Sequence, residues 1–150
     1  MRADQTPTIR LKDYTAPDWH IESVHLDITL DDNRTRVVAR SVFTPASNVV
    51  KPLILDGDEL VLESIALDET LLSQNDFKID ASTLTIPSPP ARRFTLTVTT
   101  RLDPAANTKL MGLYRSSGNY CTQCEAEGFR RITYFLDRPD IMSVYTKRIT

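Results

Sequence analysis

Cysteine, histidine and glycine are scarce in this chain, and each scarcity rules something out. Two cysteines among 150 residues cannot frame a disulfide scaffold. Two histidines, His20 and His25, leave no room for a His-Glu-x-x-His zinc motif or a second such pair. The 4 glycines, Gly57, Gly112, Gly118 and Gly128, form neither the G-x-G-x-x-G nor the P-loop spacing, so no phosphate cradle is encoded. They read as turn residues. No apolar run approaches the ~18 residues that cross a bilayer. The first residues carry an acid early and lack the apolar stretch of a secretion signal.

Charge of one sign is also missing. With 18 basic and 20 acidic residues the net charge is −2, and the basic residues cluster only as pairs such as Arg92-Arg93 and Arg130-Arg131. Nucleic-acid binders concentrate their cations into patches, so neither nucleic acid nor an anionic membrane is an expected partner. Two cysteines outside any framework fit a reducing cytoplasm.

What is present is strand pattern. Val24, Leu26, Ile28 and Leu30 alternate with polar residues, the period of a half-buried strand. Trp19 and Ile21 fall out of phase with them, which predicts a bulge near Glu22-Ser23. Asp31-Asp32-Asn33-Arg34 reads as a hairpin turn into a strand over Arg36–Phe43. Leu53–Leu55, Leu60–Leu67, Phe77–Ile79, Leu84–Ile86, Phe94–Thr99 and Tyr145–Thr150 complete the set, interrupted by Pro87, Pro89 and Pro90. Short strands with turns between them predict an all-β fold, an antiparallel sandwich or curved sheet. Asp103-Pro104 and Asp137-Arg138-Pro139-Asp140 offer the caps for one or two short helical turns. Residues 1–18 read as an irregular arm and 19–150 as the β-rich domain. The last strand pattern ends without a cap or turn, so the chain is expected to be a piece of something longer.

The segment richest in candidate chemistry is Cys121–Asp140. Extended backbone there would put Gln123, Glu125 and Glu127 on one face, a row of acceptors able to hold a cation. A catalytic acid/base pair is not supported, since no histidine or activated nucleophile lies near. Salt bridges to Arg130 or Arg131 are the structural alternative for the two glutamates. Cys121-x-x-Cys124 has the spacing of a redox motif or half a zinc site. It precedes a strand rather than a helix and lacks further ligands, so two ordinary thiols are expected. His20 and His25, five apart on one strand, are expected on opposite faces.

Thr122-Gln123-Cys124-Glu125-Ala126-Glu127-Gly128-Phe129-Arg130, then Ile132-Thr133-Tyr134 and Leu136-Asp137-Arg138-Pro139-Asp140, closely resemble the bacterial zinc-dependent alanyl aminopeptidases of the aminopeptidase N type, gluzincin metallo-exopeptidases. Asp13-Tyr14, Ala16-Pro17-Asp18, Phe94-Thr95-Leu96, Pro104–Thr108 and Gly112-Leu113-Tyr114 fit the same pattern. The resemblance implies a saddle-shaped β-sandwich that forms the N-terminal domain of such an enzyme and rests on a catalytic domain. It implies that Glu125 binds the free α-amine of a peptide substrate and that Gln123 lines the pocket for the first side chain. Glu127 is expected to be structural. Zinc is implied for the full-length enzyme and not for this chain, which lacks both His-Glu-x-x-His and the Gly-Ala-Met-Glu-Asn stretch. No catalytic residue and no metal ligand is therefore expected here, and the chain alone should be inactive. The rival reading is a free-standing β-sandwich interaction module.

Overall fold

The computed structural model describes residues 10–150. Residues 1–9 of the expected arm lie outside the described part. The remainder of the arm opens with a 3-10 turn, Leu11–Asp13, and leads into β1 (Trp19–Thr29). β1 turns back into β2 (Thr35–Pro45). The Asp31 carboxylate holds that turn by accepting the backbone N–H groups of Asn33 and Arg34 at 3.0 and 2.9 Å. Then follow β3 (Leu53–Asp56), β4 (Val61–Leu67), β5 (Thr70–Leu71), β6 (Lys78–Ile79) and β7 (Thr83–Ile86). The series closes with β8 (Phe94–Leu102), β9 (Gly112–Ser116), β10 (Asn119–Gln123) and β11 (Val144–Ile149).

Six strands form one sheet in the order β11-β1-β2-β8-β4-β5, and three form another in the order β3-β7-β6. β9 and β10 make a separate hairpin. The inward side chains of both larger sheets belong to one hydrophobic cluster that includes Val24, Val37, Leu53, Leu55, Leu84 and Leu96. The expected all-β sandwich is thus present. Among the described residues the ladders are antiparallel with one exception: β11 lies parallel to β1, pairing Val24 with Tyr145 and Ile28 with Ile149. Phe94 sits at the centre of the packing, stacked on Phe43 and edge-on to Trp19, each at 5.6 Å between centroids. Such rings bury enough apolar area to stabilise the fold by roughly 1.5–3 kcal/mol apiece.

The bulge anticipated from the phase slip is real. The β1–β2 register shifts between Ile21 and Ser23, and Trp19, Ile21, Val24 and Leu26 are consequently all buried. The same bulge corrects the expectation for the histidines. His20 faces Thr44 and His25 faces Arg40, positions of equal parity on β2, so both lie on the outer face of the sheet. Four residues of strand still separate them, ~13 Å, too far to share an ion.

The expected turn capped by Asp103 is present, while a 3-10 turn forms where none was expected. At 103–107 the chain makes a turn in which Asp103 accepts the Ala106 N–H at 2.9 Å, without continuing into a helix. At 138–141 the Ile141 N–H returns to the Arg138 carbonyl at 3.2 Å and makes the expected turn, although the Asp137 carboxylate accepts from Arg130 instead of capping it and Asp140 pairs with Arg138 at 2.8 Å from Nε. The second 3-10 turn is Phe129–Arg131. Arg138 also donates to the Thr15 carbonyl at 2.8 Å, and Tyr14 donates to Asp140 at 3.1 Å. These contacts tie the described end of the arm to the sandwich.

Candidate functional site

The segment that carries Gln123 and Glu125 starts from the β9–β10 hairpin, which alternation alone does not predict. Its turn is Ser117-Gly118, both with positive φ (49° and 84°), the backbone that a tight hairpin requires. The Ser-Gly dipeptide is the one local signal for it. β10 ends at Gln123, and residues 125–128 form a turn before the 3-10 turn Phe129–Arg131. The Glu125–Ala126 peptide bond is cis. The extended run expected through Glu127 is therefore absent. Gln123, Glu125 and Glu127 do not share a strand face, because the Gly128 N–H returns to the Cys124 carbonyl at 2.8 Å and closes the turn.

Each charged side chain around this turn has an ion-pair partner among the described residues except one. Glu127 lies 3.2 Å from Arg130, the structural role expected of it. The Arg130 backbone N–H and its Nε both donate to the buried Asp137 carboxylate, at 3.1 and 2.8 Å. Arg131 is buried and donates to the Met111 carbonyl at 3.1 Å while pairing with Asp58 and Glu59. Lys109 completes that group at 2.7 Å from Glu59. The hydrogen bonds of Arg131 and then Lys109 hold the Glu59 carboxyl down at about 2, from an ordinary 4.5. Arg138 is taken by Asp140. Glu125 is exposed, and among the described residues no cation reaches its carboxylate. The Gln123 side-chain amide donates to the Glu125 carbonyl at 3.3 Å, so the two candidate residues are brought together at the tip.

A second set of contacts fixes this segment to the sandwich. Asp56 and Phe135 exchange backbone hydrogen bonds at 2.7 and 3.0 Å, and the Asp58 N–H donates to the Arg130 carbonyl at 3.0 Å. Gly57 lies against the Tyr134 ring so closely that a Cβ would meet it at 2.2 Å. Phe129 packs edge-on to Phe135 and Tyr145 at 4.8 and 5.9 Å.

Among the described residues no three His, Cys, Asp or Glu side chains gather as a metal site. Cys121 and Cys124 are free thiols, and burial pushes the Cys124 thiol up, away from the reactive thiolate. Among the described residues no helix is long and apolar enough to cross a membrane.

Comparison with known proteins accounts for nearly the whole chain. Aminopeptidase N of Caulobacter vibrioides is 45% identical over 149 residues, 99% of this chain and 17% of that protein. Aminopeptidase N of Escherichia coli is 42% identical over 137 residues, 91% of this chain and 15% of that protein. Among solved structures, Legionella pneumophila aminopeptidase A superposes with a TM-score of 0.86 at 33% identity, over 94% of this chain and 17% of that one. An M1 zinc metallopeptidase from Deinococcus radiodurans shares the fold, with a TM-score of 0.74 at 13% identity over 89% of this chain and 32% of that one. The chain thus spans only about a sixth of the curated relatives it matches. The family model for the peptidase M1 N-terminal domain matches residues 16–150. With that match across the sandwich and the 123–140 segment, the chain belongs to the peptidase M1 N-terminal domain family.

Proposed function

We propose that this chain is the substrate-anchoring part of a full-length zinc aminopeptidase that removes N-terminal residues from peptides. The sandwich domain comprises residues 19–150, and the described end of the arm, residues 10–18, leads into it. Glu125 clasps the free α-amine of the peptide, and Gln123 stands beside the first side chain. The observation that carries the reading is the carboxylate of Glu125, exposed at the tip of a braced turn while Glu127, Asp137, Asp140 and Glu59 are all paired internally. A catalytic domain of the same polypeptide is the partner against which that tip is presented. The zinc and the hydrolytic groups belong to that remainder, so the 150 residues alone hydrolyse nothing.

An ammonium within about 4 Å of one carboxylate gains about 4 kcal/mol at an effective dielectric near 20, before desolvation. A peptide with a blocked N-terminus would leave the acid covered and unpaired, which is costly. That asymmetry selects free amines. Legionella pneumophila aminopeptidase A was solved with aspartic acid bound, a ligand that carries such an amine. The cytoplasm suits the two unbridged thiols.

The test is Glu125→Ala in the full-length protein. Loss of a charged hydrogen bond of about 1.5–3 kcal/mol should lower kcat/KM for an alanyl amide ~10- to 100-fold. The unfolding temperature should stay where it was, because no described residue leans on that carboxylate. Unchanged kinetics would remove Glu125 from the site.

A further inference from the structure

Gly128 has φ −102° and ψ −8°, a conformation open to any L residue. Backbone geometry therefore does not explain a glycine here; close approach does. A Cβ at this position would lie 2.7 Å from the Gln123 carbonyl oxygen and 2.8 Å from the Cys124 Cα. Both are backbone atoms that cannot swing aside. The Met111 Cε, at 3.0 Å, could move. The Gly128 N–H donates to the Cys124 carbonyl at 2.8 Å, and the Gly128 carbonyl accepts from the Arg131 N–H at 3.1 Å.

The downstream side of the turn has little freedom to absorb a push. Arg130 is bound through its backbone and its side chain to buried Asp137. The Arg131 Cβ lies against Gly112, where an added Cβ would meet it at 2.5 Å. Displacement must pass to the solvent side, where Gln123, Glu125, Ala126 and Glu127 are all exposed. The Gln123 amide on the Glu125 carbonyl couples the two candidate ligands to the same movement.

We propose that Gly128, backed by Arg130, is a positioning residue of the amine site: the absent Cβ lets the turn close onto Gln123 and Cys124, and this closure sets where Glu125 meets the substrate amine. That role rests on the amine-anchoring reading above, and it is separable from it by experiment.

The experiment compares Gly128→Ala, Glu125→Ala and the double variant in the full-length protein, using an alanyl amide with a free amine. Misplacing the turn should raise KM at least ~10-fold, with a smaller change in kcat. Because Gly128 acts through Glu125, its increment should vanish in the Glu125→Ala background. An unchanged KM in Gly128→Ala, or an equal increment in both backgrounds, overturns the positioning role. A KM rise in Glu125→Ala alone overturns only that role, whereas no change in Glu125→Ala overturns the amine-anchoring reading and the positioning role with it. Should Gly128→Ala fail to fold, Arg130→Lys serves in its place. It keeps the charge but loosens the fork onto Asp137 and Glu127, and should raise KM about 3-fold, again only when Glu125 is present. No rise in Arg130→Lys overturns the proposal.

Discussion

The four central strands of the large sheet and the segment from Asn119 to Asp140 are held together in different ways. In β1, β2, β8 and β4 the stabilisation is spread over alternating apolar residues and backbone ladders, so that many side chains each supply a share. In the 119–140 segment it is concentrated in a few particular contacts. These are Arg130 on Asp137, Arg131 on Asp58 and Glu59, and the close approaches at Gly57, Gly112 and Gly128. Short ion pairs and glycine contacts fix the irregular backbone beyond Gln123, where the β9–β10 ladder ends. A surface meant to meet a ligand needs that kind of rigidity.

The comparison predicts a graded series of responses. The largest effect on stability belongs to the sheet core. Phe94→Ala removes the ring that joins Phe43 to Trp19 and should cost about 3–5 kcal/mol, read as a fall in the denaturant midpoint. Gly57→Ala tests the other region with one methyl group. A Cβ 2.2 Å from the Tyr134 ring should destabilise by about 1–3 kcal/mol through overpacking, although in most exposed turns the change would be nearly silent. If Gly57→Ala left the unfolding temperature unchanged, the claim that single close approaches hold this region would lose its ground.

The smallest effect is a pH dependence. Glu59 titrates at about 2 in the fold against an ordinary 4.5. A carboxyl whose folded pKa is depressed contributes stability that is complete above the unfolded value and is lost as pH falls through the folded one. Thermal unfolding measured from pH 5 down to pH 2 should therefore fall less steeply in Glu59→Gln than in the parent chain. The side chain is largely solvent-exposed, so screening keeps the difference small. Parallel curves for the two would show that the Arg131 cluster contributes nothing through Glu59.

How much of this was legible in the sequence follows the same division. Alternation revealed β1, β2 and β8, and the phase slip at Trp19 and Ile21 revealed the bulge, because each depends on near neighbours in the chain. The parallel pairing of β11 with β1 depends on residues more than a hundred positions apart, and no local period encodes it. The expected extended run through Glu127 failed for a similar reason. What ends it at Gln123 is the closure of Gly128 onto Cys124 and Gln123, a contact that composition does not announce. The opposite-face expectation for His20 and His25 ignored the consequence of the bulge lying between them. The acceptor pattern points to Gln123 and Glu125 and motif resemblance gives each a role, while the bracing by Gly128 and by Arg130 on Asp137 shows only in their neighbours.

The most direct measurement is a structure of the full-length protein with a free-amine peptide or amino acid bound. The Glu125 carboxylate should lie within about 3 Å of the amino nitrogen, with Gln123 alongside the first side chain. An amine held entirely by other residues, with that carboxylate more than about 6 Å away and turned to solvent, would contradict it.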